Sequence, residues 1–172
     1  MDFQELLNDK NIKPKEKTET LSQWILNNPT IMNDLIDFAK TSKDPVKATC
    51  IEAIEFATKS KPETASSACL YFVTKTLTEK APRVKWESAK VVGNIAHLYP
   101  EQLDEAIKHL LINSEHEGTV VRWSAAFALG QIIKIKSSHN KDLIPAVESI
   151  CKREEKNSIR KIYLDAIKKV NR

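Results

Sequence analysis

The stretch that decides the fold spans residues 119–130 and reads Thr119-Val-Val-Arg-Trp-Ser-Ala-Ala-Phe-Ala-Leu-Gly130. Counting from Val121 as an anchor, small or apolar residues follow after four, seven, eight and eleven positions, at Ala125, Ala128, Leu129 and Ile132. On a helix with 3.6 residues per turn, these positions form one continuous stripe. The segment is therefore predicted to be an amphipathic helix that buries this stripe and turns Trp123 away from it.

The same pattern occurs four times along the chain. Each copy begins with an aliphatic residue followed by a basic one, and the anchors lie 38, 37 and 38 residues apart: Val46-Lys47, Val84-Lys85, Val121-Arg122 and Ile159-Arg160. A second amphipathic segment lies between consecutive anchors. One pair of helices cannot bury its apolar stripe alone, whereas stacked pairs bury a continuous core. The period therefore predicts a stack of helical hairpins.

These observations predict a single all-α domain, a right-handed α-solenoid of about ten helices. We expect a partial capping hairpin followed by four repeats, divided as 1–28, 29–60, 61–98, 99–137 and 138–172. Prolines stand about one helix apart and near predicted first turns, where the missing N–H is tolerated. Three polar residues two positions before an anchor are predicted N-caps. They are Asp44, Thr119 and Asn157.

Composition restricts the class of protein further. The chain has 172 residues with only three glycines, which argues against a β protein rich in turns. Charges interrupt every apolar stretch, so no membrane span of about 20 residues is predicted. The first residues lack the basic start and apolar run of a secretory signal. We therefore expect a soluble cytoplasmic protein with no membrane partner, whose three widely spaced cysteines are free.

Residues 119–130, with their Val-Arg, Ala-Ala and Ala-Leu-Gly, resemble the second helix of a HEAT repeat. Leu143-Ile144-Pro145 and the following Ala146-Val147 similarly resemble the first helix of that repeat. The resemblance is best from about residue 100 to 136 and looser from 29 to 170. Glu55 and Lys168 depart from it. HEAT-like proteins are scaffolds and binders more often than enzymes, so the resemblance implies a protein or peptide partner.

Two tryptophans suggest where such a partner binds. Trp86 and Trp123 each lie two residues past an anchor, about 200° around the helix from it, and so point away from their own core. Gly93 and Gly130, seven residues later, are expected to leave open space beneath the indoles. Aromatic and polar residues follow on the same face, namely Lys90 and Asn94 in one repeat, Phe127 and Gln131 in the next.

This arrangement resembles the Trp/Asn ladders with which armadillo proteins hold extended peptides. We therefore predict a partner-binding groove on the concave side, where the second helices of stacked hairpins lie. The alternative is that both indoles pack between repeats or against the loops, which would leave no groove.

Charge is distributed unevenly over the chain. Residues 151–172 carry eight basic and three acidic residues, a net charge of +5, against −1 for residues 1–150. Lys161, Lys168 and Lys169 are therefore a possible patch for an acidic partner, or simply the solvated end of the stack. The basic residue after each anchor is interpreted as structural, a ladder of cations that meets carboxylates or helix C-terminal carbonyls of the neighbouring repeat.

The sequence contains no motif for catalysis, metal binding or phosphate binding. No enzyme activity, cofactor or metal is predicted, and carboxylate pairs such as Glu52 and Glu55, or Glu154 and Glu155, are interpreted as solvated helix faces. Two alternatives stay open. One is nucleic-acid binding through Lys90 and the C-terminal lysines. The other is a DNA-base glycosylase of the HEAT-like alkylation-repair type, for which Asp165 is the only acid expected at a comparable inner position.

Overall fold

The computed structural model describes residues 2–171, and within them the chain forms ten α-helices and no strand, which confirms the predicted all-α class. Short 3-10 turns at Pro62–Thr64, Ala96–Leu98 and Pro100–Gln102 lie in the connections between helices. The helices are α1 (Phe3–Asn8), α2 (Pro14–Asn27), α3 (Ile31–Lys40), α4 (Asp44–Ser60), α5 (Ser67–Thr76), α6 (Pro82–Ile95), α7 (Asp104–Asn113), α8 (Thr119–Lys134), α9 (Asn140–Arg153) and α10 (Asn157–Val170).

Proline sets several helix starts, as predicted. Pro14 and Pro82 are the first residues of α2 and α6, and Pro45 is the second residue of α4. An N–H at these positions has no partner within the helix, so its absence costs nothing. The predicted N-caps are wrong by one residue, since each is the first helical residue instead. The capping positions are held by Lys43, Gly118 and Lys156, none of which bonds the helix through its side chain.

The helices are arranged in two layers. Each even-numbered helix packs extensively on the next even-numbered one, from α2 through to α10, whereas the odd-numbered helices contact each other less. Closer packing in one layer is expected on the concave side of a curved stack. The architecture is the predicted right-handed α-solenoid of helical hairpins. Each predicted repeat contains one odd-numbered and one even-numbered helix, and the division between repeats stays a prediction.

A single apolar core runs through the stack from Leu21 in α2 to Ile167 in α10. The anchor stripes supply much of it, because apolar area removed from water stabilises the fold by about 25 cal/mol per Å². At the first end the ring of Phe3 lies against Trp24 and Phe38, with centroid separations of 6.2 and 5.7 Å. This aromatic cluster covers the end of the core.

The basic residues after the anchors form most of their contacts outside their own helices. Lys47 pairs with Glu79 at 2.9 Å, and Lys85 donates to the Leu77 carbonyl and to Asn113 Oδ1 at 3.2 and 3.3 Å. Further such contacts join Arg122 to Glu154, whereas Arg160 contacts Asn157 in its own helix. The predicted cation ladder is therefore confirmed for Lys47 and Arg122, whereas Lys85 reaches the neighbouring repeat through the side-chain amide of Asn113 and Arg160 stays within its own helix.

The three cysteines are free thiols, with Cys50 and Cys69 in the core. Burial raises the pKa of both thiols to about 12, which keeps them protonated and poorly nucleophilic. No helix within residues 2–171 is long and apolar enough to cross a membrane.

Candidate functional site

We define the inner face as the positions two, six and ten residues after each anchor, together with their immediate neighbours on the even-numbered helices. These positions lie opposite the buried stripe, on the side of the layer that the odd-numbered helices do not cover. They are Ala48, Glu52 and Phe56 on α4; Trp86, Lys90 and Asn94 on α6; Trp123, Phe127 and Gln131 on α8; Lys161, Asp165 and Lys169 on α10.

The most exposed aromatic side chain of the inner face is Trp123, which is 40% accessible to solvent. Its ring lies parallel to that of Phe127, one turn further along α8, with a centroid separation of 6.0 Å and an interplanar angle of 3°. Offset parallel rings at this distance attract one another beyond the area they bury. The Trp123 indole is therefore held in place while it faces solvent.

Phe127 in turn rests on the neighbouring helix. A Cβ atom added at Gly93 of α6 would lie 2.5 Å from Cε1 of the Phe127 ring and 3.2 Å from the Ala128 Cα. Only glycine allows α8 and its aromatic ring to come this close. Gly93, Phe127 and Trp123 thus form one layered unit, which we call the aromatic platform.

The open space predicted beneath the tryptophans is therefore absent. The ring of Phe127 covers Gly93, and at Gly130 the side chains of Ile162 and Ala166 lie within 3.6 Å of an added Cβ. Both glycines serve the close approach of consecutive inner helices. The prediction failed because it considered each helix alone, whereas the next helix occupies the space.

Trp86 is in a different environment from Trp123. Its ring is partly buried, and its Nε1 donates to Glu87 Oε1 at 2.9 Å. The same carboxylate pairs with Lys90 at 2.9 Å and is almost fully buried. The indole N–H and the Lys90 charge are thus both engaged within α6, so the two predicted tryptophans are not equivalent.

Asn94 reaches across to α4. Its Nδ2 donates to the Glu55 carbonyl and to Thr58 Oγ1, both at 3.2 Å. The N–H groups of this amide therefore bridge two helices of the solenoid. Gln131, at the equivalent position in α8, is partly buried, and its amide has no hydrogen-bond partner among residues 2–171.

Sequence reasoning missed three buried carboxylates. Glu55, Glu87 and Glu154 are only 6%, 3% and 7% exposed, which corrects the interpretation of Glu55 and Glu154 as parts of solvated faces. Glu52 is also engaged, since it accepts hydrogen bonds from Thr18 and Arg83 at 2.9 Å. A signal for Glu55 was available, because it stands nine residues after its anchor, where Gly93 and Gly130 stand in the next two repeats.

The environment of Glu55 shifts its proton affinity. Burial is the largest effect and raises the pKa of this carboxyl. The positive charge of Lys90 lowers the pKa, and the negative charge of Glu87 raises it. Smaller effects of Lys59 and Asn94 lower it. The net shift is upward, so the folded state favours the protonated form. Ionisation of Glu55 therefore lowers the free energy of unfolding, and this loss begins as the pH rises through the pKa of the unfolded state.

We expect Glu55→Gln to raise the Tm by a few degrees at pH 7, because the amide keeps the shape of the side chain without the buried charge. The gain should vanish below about pH 4, where the wild-type carboxyl is protonated in both states. Thermal unfolding followed by circular dichroism from pH 3.5 to 8 measures this. The exposed Glu63→Gln is the matched control; a gain that does not depend on pH would contradict the assignment.

The C-terminal lysines lie on the inner face in register with the residues of the platform helix. Lys161 on α10 takes the position that Trp123 holds on α8, and Lys169 takes that of Gln131. Lys161, Lys168 and Lys169 are all exposed, as is Asp165 between them. Within residues 2–171 none of these lysines forms an ion pair.

A groove between two inner helices and the spacing of possible metal-binding side chains also bear on what the surface can bind. A groove of about 380 Å³ between α2 and α4 is lined by Leu26, Phe56 and Lys59 together with polar residues. Among residues 2–171 no group of three or more His, Cys, Asp or Glu side chains is arranged to hold a metal ion.

The sequence itself matches no protein-family model and no curated protein. Its structure does match solved structures. A designed armadillo-repeat protein in complex with the peptide (KR)4 superposes with a TM-score of 0.73 over 98% of this chain and 80% of its own, at 15% identity. A computationally designed armadillo-repeat protein for modular peptide recognition gives 0.69 over 97% and 80%, also at 15% identity.

The fold is that of an α-solenoid repeat protein. An engineered protein from a structural-genomics consortium supports the same conclusion, with a TM-score of 0.72 over 99% of this chain and 47% of its own. At 15% identity the likeness concerns the backbone architecture alone. The likeness does not specify what this solenoid binds.

Proposed function

We propose that this solenoid is a non-catalytic scaffold that binds a protein segment or peptide on its inner face. The proposed site comprises Trp86, Lys90, Asn94, Trp123, Phe127 and Gln131. The observation that carries the proposal is the aromatic platform, an exposed indole stacked on the ring of Phe127, which itself lies against Gly93.

A rigid exposed aromatic ring is suited to binding for two reasons. Truncation of tryptophan at an interface often causes a large loss of affinity, because the indole covers much apolar area. A ring already fixed by stacking loses little conformational entropy when a partner covers it. Hydrogen bonds to a peptide backbone are available from the Gln131 amide, while Trp86 and Lys90 shape the adjacent surface.

The structural neighbours support the architecture of this proposal. One of them holds a peptide, (KR)4, on a solenoid that superposes on nearly all of this chain. We further propose the HEAT-like type, since each repeat contains two α-helices. Free cysteines at three positions are typical of a reducing compartment and support a cytoplasmic location.

The site gives no support to the glycosylase alternative. Asp165 is exposed on α10, one helix beyond Trp123. Beside Trp86 on α6, Glu87 accepts a hydrogen bond from the indole and pairs with Lys90, so this carboxylate is engaged within the protein. Aromatic and basic groups are also suited to contact the bases and phosphates of single-stranded nucleic acid, which is the alternative ligand.

We expect Trp123→Ala to weaken peptide binding by about tenfold or more, the usual effect of truncating a central aromatic contact. The test selects binders from a phage-displayed library of random dodecapeptides and measures the affinities of synthesised binders by fluorescence anisotropy. Tyr71→Ala is the matched control, since Tyr71 is a 65% exposed aromatic residue on α5 in the other layer. Binders that are equally sensitive to both variants, or to neither, would refute the inner-face site.

A further inference from the structure

The unpaired charges of the inner face on α8 and α10 are mostly positive, with Asp165 as the exception. On α4 and α6, Glu52 pairs with Arg83 and Glu87 with Lys90, each at 2.9 Å, while Glu55 is buried. On α8 Arg122 pairs with Glu154, but the lysines of α8 and α10 differ. Within residues 2–171, no ion pair involves Lys134, Lys161, Lys168 or Lys169.

These cations adjoin the aromatic platform. Lys161 holds on α10 the position of Trp123 on α8, and packed helices lie about 8–10 Å apart. An extended peptide advances about 3.3 Å per residue, so residues two to four apart would reach the two helices. A single short segment can thus contact the platform and the lysines together.

We propose that the partner of this solenoid is an acidic peptide segment that binds across α8 and α10. An apolar side chain covers the aromatic platform, and aspartate or glutamate side chains, a few residues away, pair with Lys161, Lys168 and Lys169. This inference rests on the proposed peptide-binding function and specifies its ligand. Asp165 lies among the lysines and leaves these four residues a net charge of +2, three positive against one negative.

A peptide fits the inner face better than a nucleic acid does. The basic surface is limited to α8 and α10, whereas the next inner helices carry Glu52, Glu55 and Glu87. Glu52 and Glu87 pair with Arg83 and Lys90, so these helices offer few free cations to a longer phosphate chain, and nucleic-acid affinity depends on many phosphate contacts. A few carboxylates beside one apolar residue need only the short basic surface that is present.

The test uses the same dodecapeptide library, selected in parallel on the full-length wild type and on Lys161→Glu/Lys168→Glu/Lys169→Glu. We expect Trp123-dependent wild-type binders to be rich in Asp and Glu, and to bind the triple variant about tenfold or more weakly. Their affinity should also fall with added salt. The matched control is Lys10→Glu/Lys43→Glu/Lys141→Glu, which changes the charge equally at exposed positions outside the inner face.

Each outcome is decisive. Trp123-dependent binders without acidic enrichment, which bind the triple variant as well as the wild type, would overturn the acidic ligand and leave peptide binding standing. If no Trp123-dependent binder emerges, both proposals fail. Tighter binding of an oligothymidylate of about 20 nucleotides than of the selected peptides, lost in the triple variant, would replace the peptide by single-stranded nucleic acid.

Discussion

Arg122→Ala is expected to lower the free energy of unfolding by about 3 kcal/mol, because it removes one partner of a buried ion pair. The Arg122 side chain is 18% exposed and that of Glu154, at the end of α9, is 3% exposed. Arg122 Nε lies 2.9 Å from Glu154 Oε2, and Nη1 donates to the carbonyls of His116 and Glu117 at 3.0 Å. One side chain therefore joins the α7–α8 connection to the next repeat.

The pH dependence of this loss follows from Glu154. Burial alone would raise the pKa of this carboxyl, but hydrogen bonds from Arg122 and the Lys156 backbone N–H, with the Arg122 charge, hold it below its ordinary value. A carboxyl with a lowered folded-state pKa stabilises the protein above its unfolded pKa of about 4.3. That contribution is lost as the pH falls through the folded-state value, so the difference between wild type and variant should narrow in acid.

Urea unfolding at pH 7 and pH 3.5, followed by circular dichroism, measures the effect. Arg153→Ala is the matched control, because Arg153 also joins two repeats by pairing with a glutamate, Glu115, but both side chains are about half exposed. Exposed pairs contribute little to stability, so this variant should unfold close to the wild type. Equal losses for the two variants would show that burial does not set the strength of these cross-links.

The fold could be predicted because the information lies within single helices. An apolar stripe at helical spacing shows which face is buried, and its repetition from Val46 to Ile159 shows how many helices must stack. Neither inference depends on the geometry of the contacts between neighbouring repeats. The helix starts were less accurate, since Asp44, Thr119 and Asn157 act in the first turn and not as caps. Propensity alone does not separate these adjacent positions.

The details of the inner face depend on contacts between repeats, which a single-helix projection cannot provide. The projection correctly separated Trp123 from the buried stripe. It did not show that Phe127 would cover Gly93, or that Asn94 would bond to the Glu55 carbonyl. Both contacts are fixed by the offset between consecutive inner helices, which the length of the period does not specify.

Gly93→Ala is expected to destabilise the protein by about 1–3 kcal/mol, the usual cost of extra volume in a packed interface. The added Cβ would lie 2.5 Å from the Phe127 ring and 3.2 Å from the Ala128 backbone, so the ring must move and α6 and α8 must separate slightly. Alanine is favoured over glycine within a helix by about 0.5–1 kcal/mol, which offsets only part of this cost. Displacement of Phe127 also removes the support of Trp123.

Gly130→Ala is the control, since it makes the same substitution at the equivalent position of α8. Its Cβ would meet Ile162 and Ala166 at 3.4 and 3.6 Å, ordinary van der Waals contacts, so the gain in helix propensity should dominate. We expect opposite shifts in Tm for the two variants, and loss of Trp123-dependent peptide binding in Gly93→Ala alone. Adding Phe127→Leu to Gly93→Ala should recover stability, because a smaller side chain relieves the contact, but not binding, because the stacking partner is gone. Equal stability of both alanine variants would mean that Phe127 does not hold the helices or the Trp123 ring in place.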